Sequence, residues 1–261
     1  MVLSNVYVIP HGDEILSMPN SESATMNKKI KEVTRNDNSD TIVIISPHSL
    51  RMEAGASLIN TVHLSGYYKI GNMVIRKNYE TDRELNAELL KSSHSLIETT
   101  FVTTEGKLSR FPLDFGSLIP LSFFGKRKVS LIGQWRTDAK EKLIDLGERI
   151  YDVVSQTDRK VSVIFSADQA HAHSRKGPYG YDERAKKYDE IVIKSLRKND
   201  FNELIQLDSE FIQGAKPDSY WNLLSFFGFI REGNMVPRFH YYYVQIYFGM
   251  LLATASHGGN D

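Results

Sequence analysis

Three apolar runs in this chain each lead into a histidine: Val6-Tyr7-Val8-Ile9-Pro10-His11, Ile42-Val43-Ile44-Ile45-Ser46-Pro47-His48, and Val161-Ser162-Val163-Ile164-Phe165-Ser166-Ala167-Asp168-Gln169-Ala170-His171. In open α/β sheets, residues just past the carboxyl ends of different strands converge on one crevice. Imidazoles gathered in this way suggest a metal site. Two of them with one carboxylate would form a facial set that leaves positions open on Fe(II) for substrate and dioxygen. His11 lies in Pro10-His11-Gly12 and His48 in Ser46-Pro47-His48-Ser49, both where extended structure ends. His171 and His173 are two apart, so they share a face if the segment is extended, whereas only one points inward if it turns. A histidine beside a metal but outside its coordination shell can act as base and then acid near neutral pH.

The carboxylate is less determined by spacing. Asp218 in Lys216-Pro217-Asp218-Ser219 suits a metal ligand, but it also suits a helix N-cap, and Asp13, Glu210 and Glu232 are rivals. His63 in a strand and His94 at a helix end read as structural, and His240 beside Tyr241, Tyr242 and Tyr243 reads as core or interface. The chain has no dinucleotide or Walker phosphate loop, no serine nucleophile elbow and no His-Glu-x-x-His motif.

The elements that must position these groups follow from periodicity. Asn20 to Arg35 has Met26 and Ile30 at helical spacing and completes a βαβ start. Ser57 to Leu64 and the run from Met73, after Gly71-Asn72, read as a strand pair, and Asp82 to His94 as a capped helix. Lys128 to Ile132 reads as a strand, Thr137 to Val154 as an amphipathic helix, and Tyr181 to Leu196 as another after the turn-rich Gly177-Pro178-Tyr179-Gly180. Asn202 to Ile212 and Asp218 to Phe227 are expected helices, and Phe239 to Tyr247 a strand. The expected fold is an α/β single domain over residues 1–261, with a central mostly parallel sheet flanked by helices and the site at the C-terminal ends of the strands.

Composition removes several classes of function. Lys plus Arg and Asp plus Glu balance at 32 each, and no basic run offers a nucleic-acid footprint. With no cysteine, thiolate zinc sites, iron–sulfur clusters and cysteine nucleophiles are excluded, leaving His, Asp and Glu as ligands. Val2 to Pro10 is expected to be a core strand rather than a secretory signal. Tyr241 to Ala255 is interrupted by Gln245 and falls short of the ~20 apolar residues of a spanning helix. The expectation is a soluble, cytoplasmic protein with neither nucleic acid nor membrane as partner.

Pro10-His11-Gly12, Ser46-Pro47-His48, Pro112-Leu113-Asp114-Phe115-Gly116-Ser117-Leu118-Ile119-Pro120-Leu121, Asp168-Gln169-Ala170-His171 and Tyr247-Phe248-Gly249-Met250 occur in this order. In that ordered set the chain resembles the catalytic subunits of the class III extradiol ring-cleavage dioxygenases, from His11 to Met250. The resemblance implies a non-haem Fe(II) held by His11 and His48, with Asp218 where the family usually has glutamate, and His171 as the acid–base residue. It implies a catechol-type aromatic and O2 as substrates, with Asp114, Phe115, His173, Tyr179 and Tyr181 as candidates for substrate contact. Phe115 departs from the pattern, because the family commonly has histidine between the residues matching Asp114 and Gly116. The same architecture occurs in the Memo-like branch, whose members are not established as ring-cleaving enzymes. A Zn²⁺-dependent hydrolase on the same scaffold, or a non-catalytic metal- or ligand-binding protein, is the alternative. The tyrosine-rich C-terminal strand suits an interface in a homo-oligomer.

Overall fold

The residues that build the centre of the sheet are β-branched and buried on both faces. Ile42, Val43 and Ile44 are fully buried, as are Val161, Val163 and Ile164, the pattern of parallel strands covered by helices on either side. The structure, a computed structural model, describes residues 3–258. It begins β1 (Leu3–Ile9), α1 (Glu14–Ser17), α2 (Ser21–Thr34), β2 (Thr41–Ser46), β3 (Ala56–Ile59), β4 (His63–Ile70), β5 (Met73–Thr81) and α3 (Arg83–Ser92). It continues β6 (Leu96–Thr99), β7 (Arg110–Pro112), α4 (Phe115–Leu121), β8 (Lys128–Gly133), α5 (Lys140–Gln156) and β9 (Val161–Ser166). The last third is α6 (Glu183–Lys198), α7 (Asn202–Gln206), α8 (Ser209–Ala215), α9 (Tyr220–Glu232), β10 (Met235–Gln245) and β11 (Phe248–His257).

These elements form a single α/β domain around one mixed sheet of order β10-β11-β1-β9-β2-β8-β5-β4-β7, with β3 joined to β8 and β6 to β3. Pairing is parallel from β1 through β9 and β2 to β8, and antiparallel where β11 joins β1 and where β4 meets β5. The three histidine-bearing runs are therefore neighbours, β1-β9-β2, with Ile9 opposite Ser166 and Ile45 opposite Phe165. One apolar cluster, with α5 and α9 at its centre, covers one face; another, with α2 and α4, covers the other. Helices α5 and α9 meet backbone to backbone, because a Cβ on Gly147 would collide with the Ser225 carbonyl and one on Gly228 with that of Ile144. That crossing fixes the helix whose N-terminal approach carries Asp218.

Several expected boundaries shift for identifiable reasons. The expected helix Asn202–Ile212 is two helices, since Asp208 leaves helical geometry and caps α8 by accepting from the Phe211 N–H. The expected strand Phe239–Tyr247 lies in β10, which begins earlier, at Met235, ends at Gln245 and turns at Ile246, with a left-handed φ of 57°, into a further strand, β11. Ser57 to Leu64 splits between β3 and β4, and β4 pairs with β5 across the Gly71 turn. Asp218 is not a helix cap; Ser219 takes the N-cap position of α9. Among the described residues no helix is long and apolar enough to cross a membrane.

Candidate metal centre

Each ligand candidate lies two residues beyond a strand or just ahead of a helix. His11 follows β1, His48 follows β2, and Asp218 precedes α9. His11 is almost fully buried, and its Nδ1 lies 2.9 Å from Ser166 Oγ. Ser166 donates its own proton to the Gly116 carbonyl at 2.6 Å, so its oxygen is left to accept from His11 Nδ1–H. The tautomer assigned by this network puts the lone pair on His11 Nε2, the nitrogen that faces the site. The backbone N–H of His11 donates to Asp168 Oδ1 at 2.9 Å, and Asp168 Oδ2 lies 3.5 Å from His11 Nε2.

His11 Nε2 and His48 Nε2 are 3.2 Å apart, and Asp218 Oδ2 lies 3.2 Å from the first and 3.1 Å from the second. Asp218 Oδ1 accepts from Arg136 Nη2 at 2.9 Å, whereas Oδ2 is buried with no hydrogen-bond partner. Among the described residues these three form the group able to hold a metal ion. Donors about 2.1 Å from an ion stand roughly 3.0–3.4 Å apart for angles between square and tetrahedral, so the triangle fits one mononuclear ion. Its other side remains open. Burial opposes charge on Asp218, but the adjoining His11 and His48 outweigh it and hold its pKa well below the carboxylate range. Burial likewise disfavours charge on His11, yet Asp168, Asp218 and Asp114 outweigh it and raise its pKa. A bound cation would compete with a proton for the Nε2 lone pair.

A cavity of about 390 Å³ opens beside these donors, lined by His48, Asp218, Arg136, His171, Tyr179 and Trp221 among others. That volume suits a small organic molecule. His171 Nδ1 lies 2.8 Å from the Gln169 carbonyl and donates to it, which leaves the lone pair on Nε2. Its ring stacks on Phe248 at 5.3 Å and 16°, and meets Tyr179 edge-on at 5.7 Å. A bridge from Ala170 to Pro217, with Asp218 N–H donating to the Gln169 carbonyl at 3.3 Å, joins the His171 loop to the Asp218 segment.

The remaining expected residues divide. Tyr179 lines the cavity; Tyr181 does not, being 59% exposed and paired to His173 through an isolated bridge. The chain turns between His171 and His173, and His173 Nε2 binds Asp189 Oδ2 at 2.7 Å, away from the cavity. Asp114 is occupied as the N-cap of α4: it accepts from Ser117 N at 2.8 Å, Ser117 Oγ at 2.7 Å and Ser46 Oγ at 2.6 Å. Phe115 packs on His48, ring centroids 4.1 Å apart, and on His11 at 5.7 Å. Of the rival carboxylates, Asp13 accepts from the Tyr68 hydroxyl and Glu210 pairs with Arg184 at the surface. Sequence reasoning passed over Ser166, Asp168, Gln134 and Arg136. The signal for the last two was present, since both follow the apolar strand β8 as His11 follows β1.

The model of the family described as the catalytic LigB subunit of aromatic ring-opening dioxygenase matches residues 5–250. Protein CA_C1420 of Clostridium acetobutylicum is 20% identical over 234 residues, 82% of this chain and 49% of that protein. The chain thus spans about half the length of the curated relative it matches. The crystal structure of uncharacterized protein JW3007 from Escherichia coli K12 matches with a TM-score of 0.66 at 13% identity, over 96% of this chain and 98% of that one. At that identity the likeness concerns the fold alone.

Proposed function

The chain belongs to the family of catalytic LigB subunits of aromatic ring-opening dioxygenases, and from that premise we propose that it is a mononuclear Fe(II) enzyme that opens the ring of a catechol with O2. The observation that carries this reading is the convergence of His11 Nε2, His48 Nε2 and the unpartnered Asp218 Oδ2 at the edge of a cavity. Fe(II) held there would supply adjacent positions for the catechol oxygens and O2 and a route for electrons between them. Overall, one O2 adds to one catechol, a ring carbon–carbon bond next to a hydroxyl breaks, and both oxygen atoms remain in the product.

The chain's own residues handle the protons. His171 Nε2 takes one catechol proton, because its Nδ1–H is committed to the Gln169 carbonyl and the ring is held flat against Phe248. The imidazolium so formed holds that proton at Nε2 and can return it to oxygen as the ring opens. Tyr179 lines the cavity edge-on to His171, and Phe115 keeps water from one face of the His48 ring. The donor set also suits Zn²⁺, and a hydrolase on this scaffold would work without oxygen.

Anaerobic Fe(II) reconstitution followed by a catechol panel with O2 tests the proposal. The expected result is a yellow ring-fission product that needs Fe(II), O2, His11 and His171. Stoichiometric metal binding with no oxygen uptake on any catechol would overturn it.

A further inference from the structure

We propose that Arg136, assisted by Gln134, is the positioning residue that presents Asp218 to the metal through one oxygen only. This rests on the reading of His11, His48 and Asp218 as the ligand set. Strand β8 ends at Gly133 and the chain runs on through Gln134, Trp135 and Arg136. Arg136 Nη2 donates both to Asp218 Oδ1 at 2.9 Å and to the Asp218 carbonyl at 3.2 Å. Gln134 Nε2 donates to the same carbonyl at 3.1 Å. Trp135 between them is buried and anchors the segment in the opposite direction, its indole N–H donating to the Glu53 carbonyl at 2.9 Å. The guanidinium is held from above as well, 4.7 Å from the ring centre of Trp221.

Main chain and side chain of Asp218 are therefore gripped by one guanidinium. A carboxylate is free to rotate about its last bond and offer either or both oxygens. Here Oδ1 is committed to Arg136, and Oδ2, without a partner, is turned toward both imidazoles. One-oxygen ligation keeps the remaining coordination positions free on the cavity side. An arginine merely near the site would have the reverse effect, since its positive charge repels a cation. The two roles predict opposite signs when Arg136 is removed.

The test is an anaerobic titration of the metal-free full chain with Fe(II), and separately with Co(II), comparing wild type with Arg136→Gln, Arg136→Lys and Gln134→Met. Loss of a residue that orients a ligand weakens metal binding by about 10–100-fold. That loss is expected for Arg136→Gln, with a smaller one for Arg136→Lys and the smallest for Gln134→Met. The visible spectrum of the Co(II) form of Arg136→Gln is expected to change, because Asp218 no longer binds through a single oxygen. Affinity equal to or tighter than wild type in Arg136→Gln, or an unchanged Co(II) spectrum, overturns the proposal. Should Arg136→Gln fail to fold, wild-type affinity in both other variants overturns it. Stoichiometric binding with these variant effects but no catechol turnover would defeat the ring-opening reading and leave this inference standing. No metal binding by the wild type would overturn the ligand set itself, before any variant is compared.

Discussion

Two carboxylates at opposite ends of the same strands are treated in opposite ways. Asp37, in the loop ahead of β2, accepts hydrogen bonds from Asn5 and Tyr7 of β1, from Ser39 of its own loop and from Ser162 near the start of β9. Asp218, at the carboxyl ends of those strands, has one oxygen held by Arg136 and the other facing two imidazoles with no donor of its own. A carboxylate saturated by neutral donors staples strands together. One left with an unused lone pair among nitrogen lone pairs is arranged for a cation. The difference separates structure from function where burial alone would not, since both are partly buried.

The largest break in that comparison is at Asp218 itself. Asp218→Asn is expected to weaken Fe(II) or Zn²⁺ binding by more than ~100-fold while the far-UV circular dichroism stays that of wild type, because on the proposed reading a ligand and not a positioning group is lost. Calorimetric titration reads this directly, and wild-type affinity would remove Asp218 from the ligand set. Asp37→Ala is expected to do the converse. Leaving the Ser162, Ser39 and Tyr7 hydroxyls without their acceptor costs about 2 kcal/mol, a fall of about 4–8 °C in Tm, with metal affinity within about 2-fold of wild type.

Acid titration sharpens the comparison further. Burial pushes the Asp37 pKa up, but hydrogen bonds from Ser162, Ser39 and Tyr7 outweigh it and leave the pKa below its ordinary value. Its contribution is therefore fully present above the unfolded carboxylate value of about 3.9 and is lost as pH falls through the lower folded value. Denaturant melts between pH 2 and pH 5 are expected to show this extra slope in wild type and not in Asp37→Asn. The smallest expected effect is at Tyr181→Phe, with metal affinity and turnover within about 2-fold of wild type, since Tyr181 is exposed and outside the cavity. A larger change would place its hydroxyl in substrate binding.

How much of this was legible in the sequence follows from how local each signal is. His11 and His48 stand directly after apolar strands, and the rule that strand ends share a crevice brings them together without any coordinates. Helices α2, α5 and α6 announce themselves by apolar residues on one side, such as Leu143, Leu146, Ile150 and Val154 in α5. Turns that use unusual residues left no such mark: β10 and β11 join at Ile246, a β-branched residue with positive φ, where glycine or asparagine would have been expected. Helix α4 was hidden by Pro120 within it, although Asp114 and Ser117 form its cap. The role of Asp189 was beyond reach, because its partners, His173, Tyr242 and the Ala170 N–H, come from distant stretches of chain.

The bridge between Ala170 and Pro217 places His171 and Asp218 on adjoining segments pinned to each other. Mechanically the two behave as a single plate, so a displacement that pulls one out of register carries the other with it. Opening of the site by heat or denaturant should then be one concerted event, with the His171 loop and the Asp218 segment lost on the same curve.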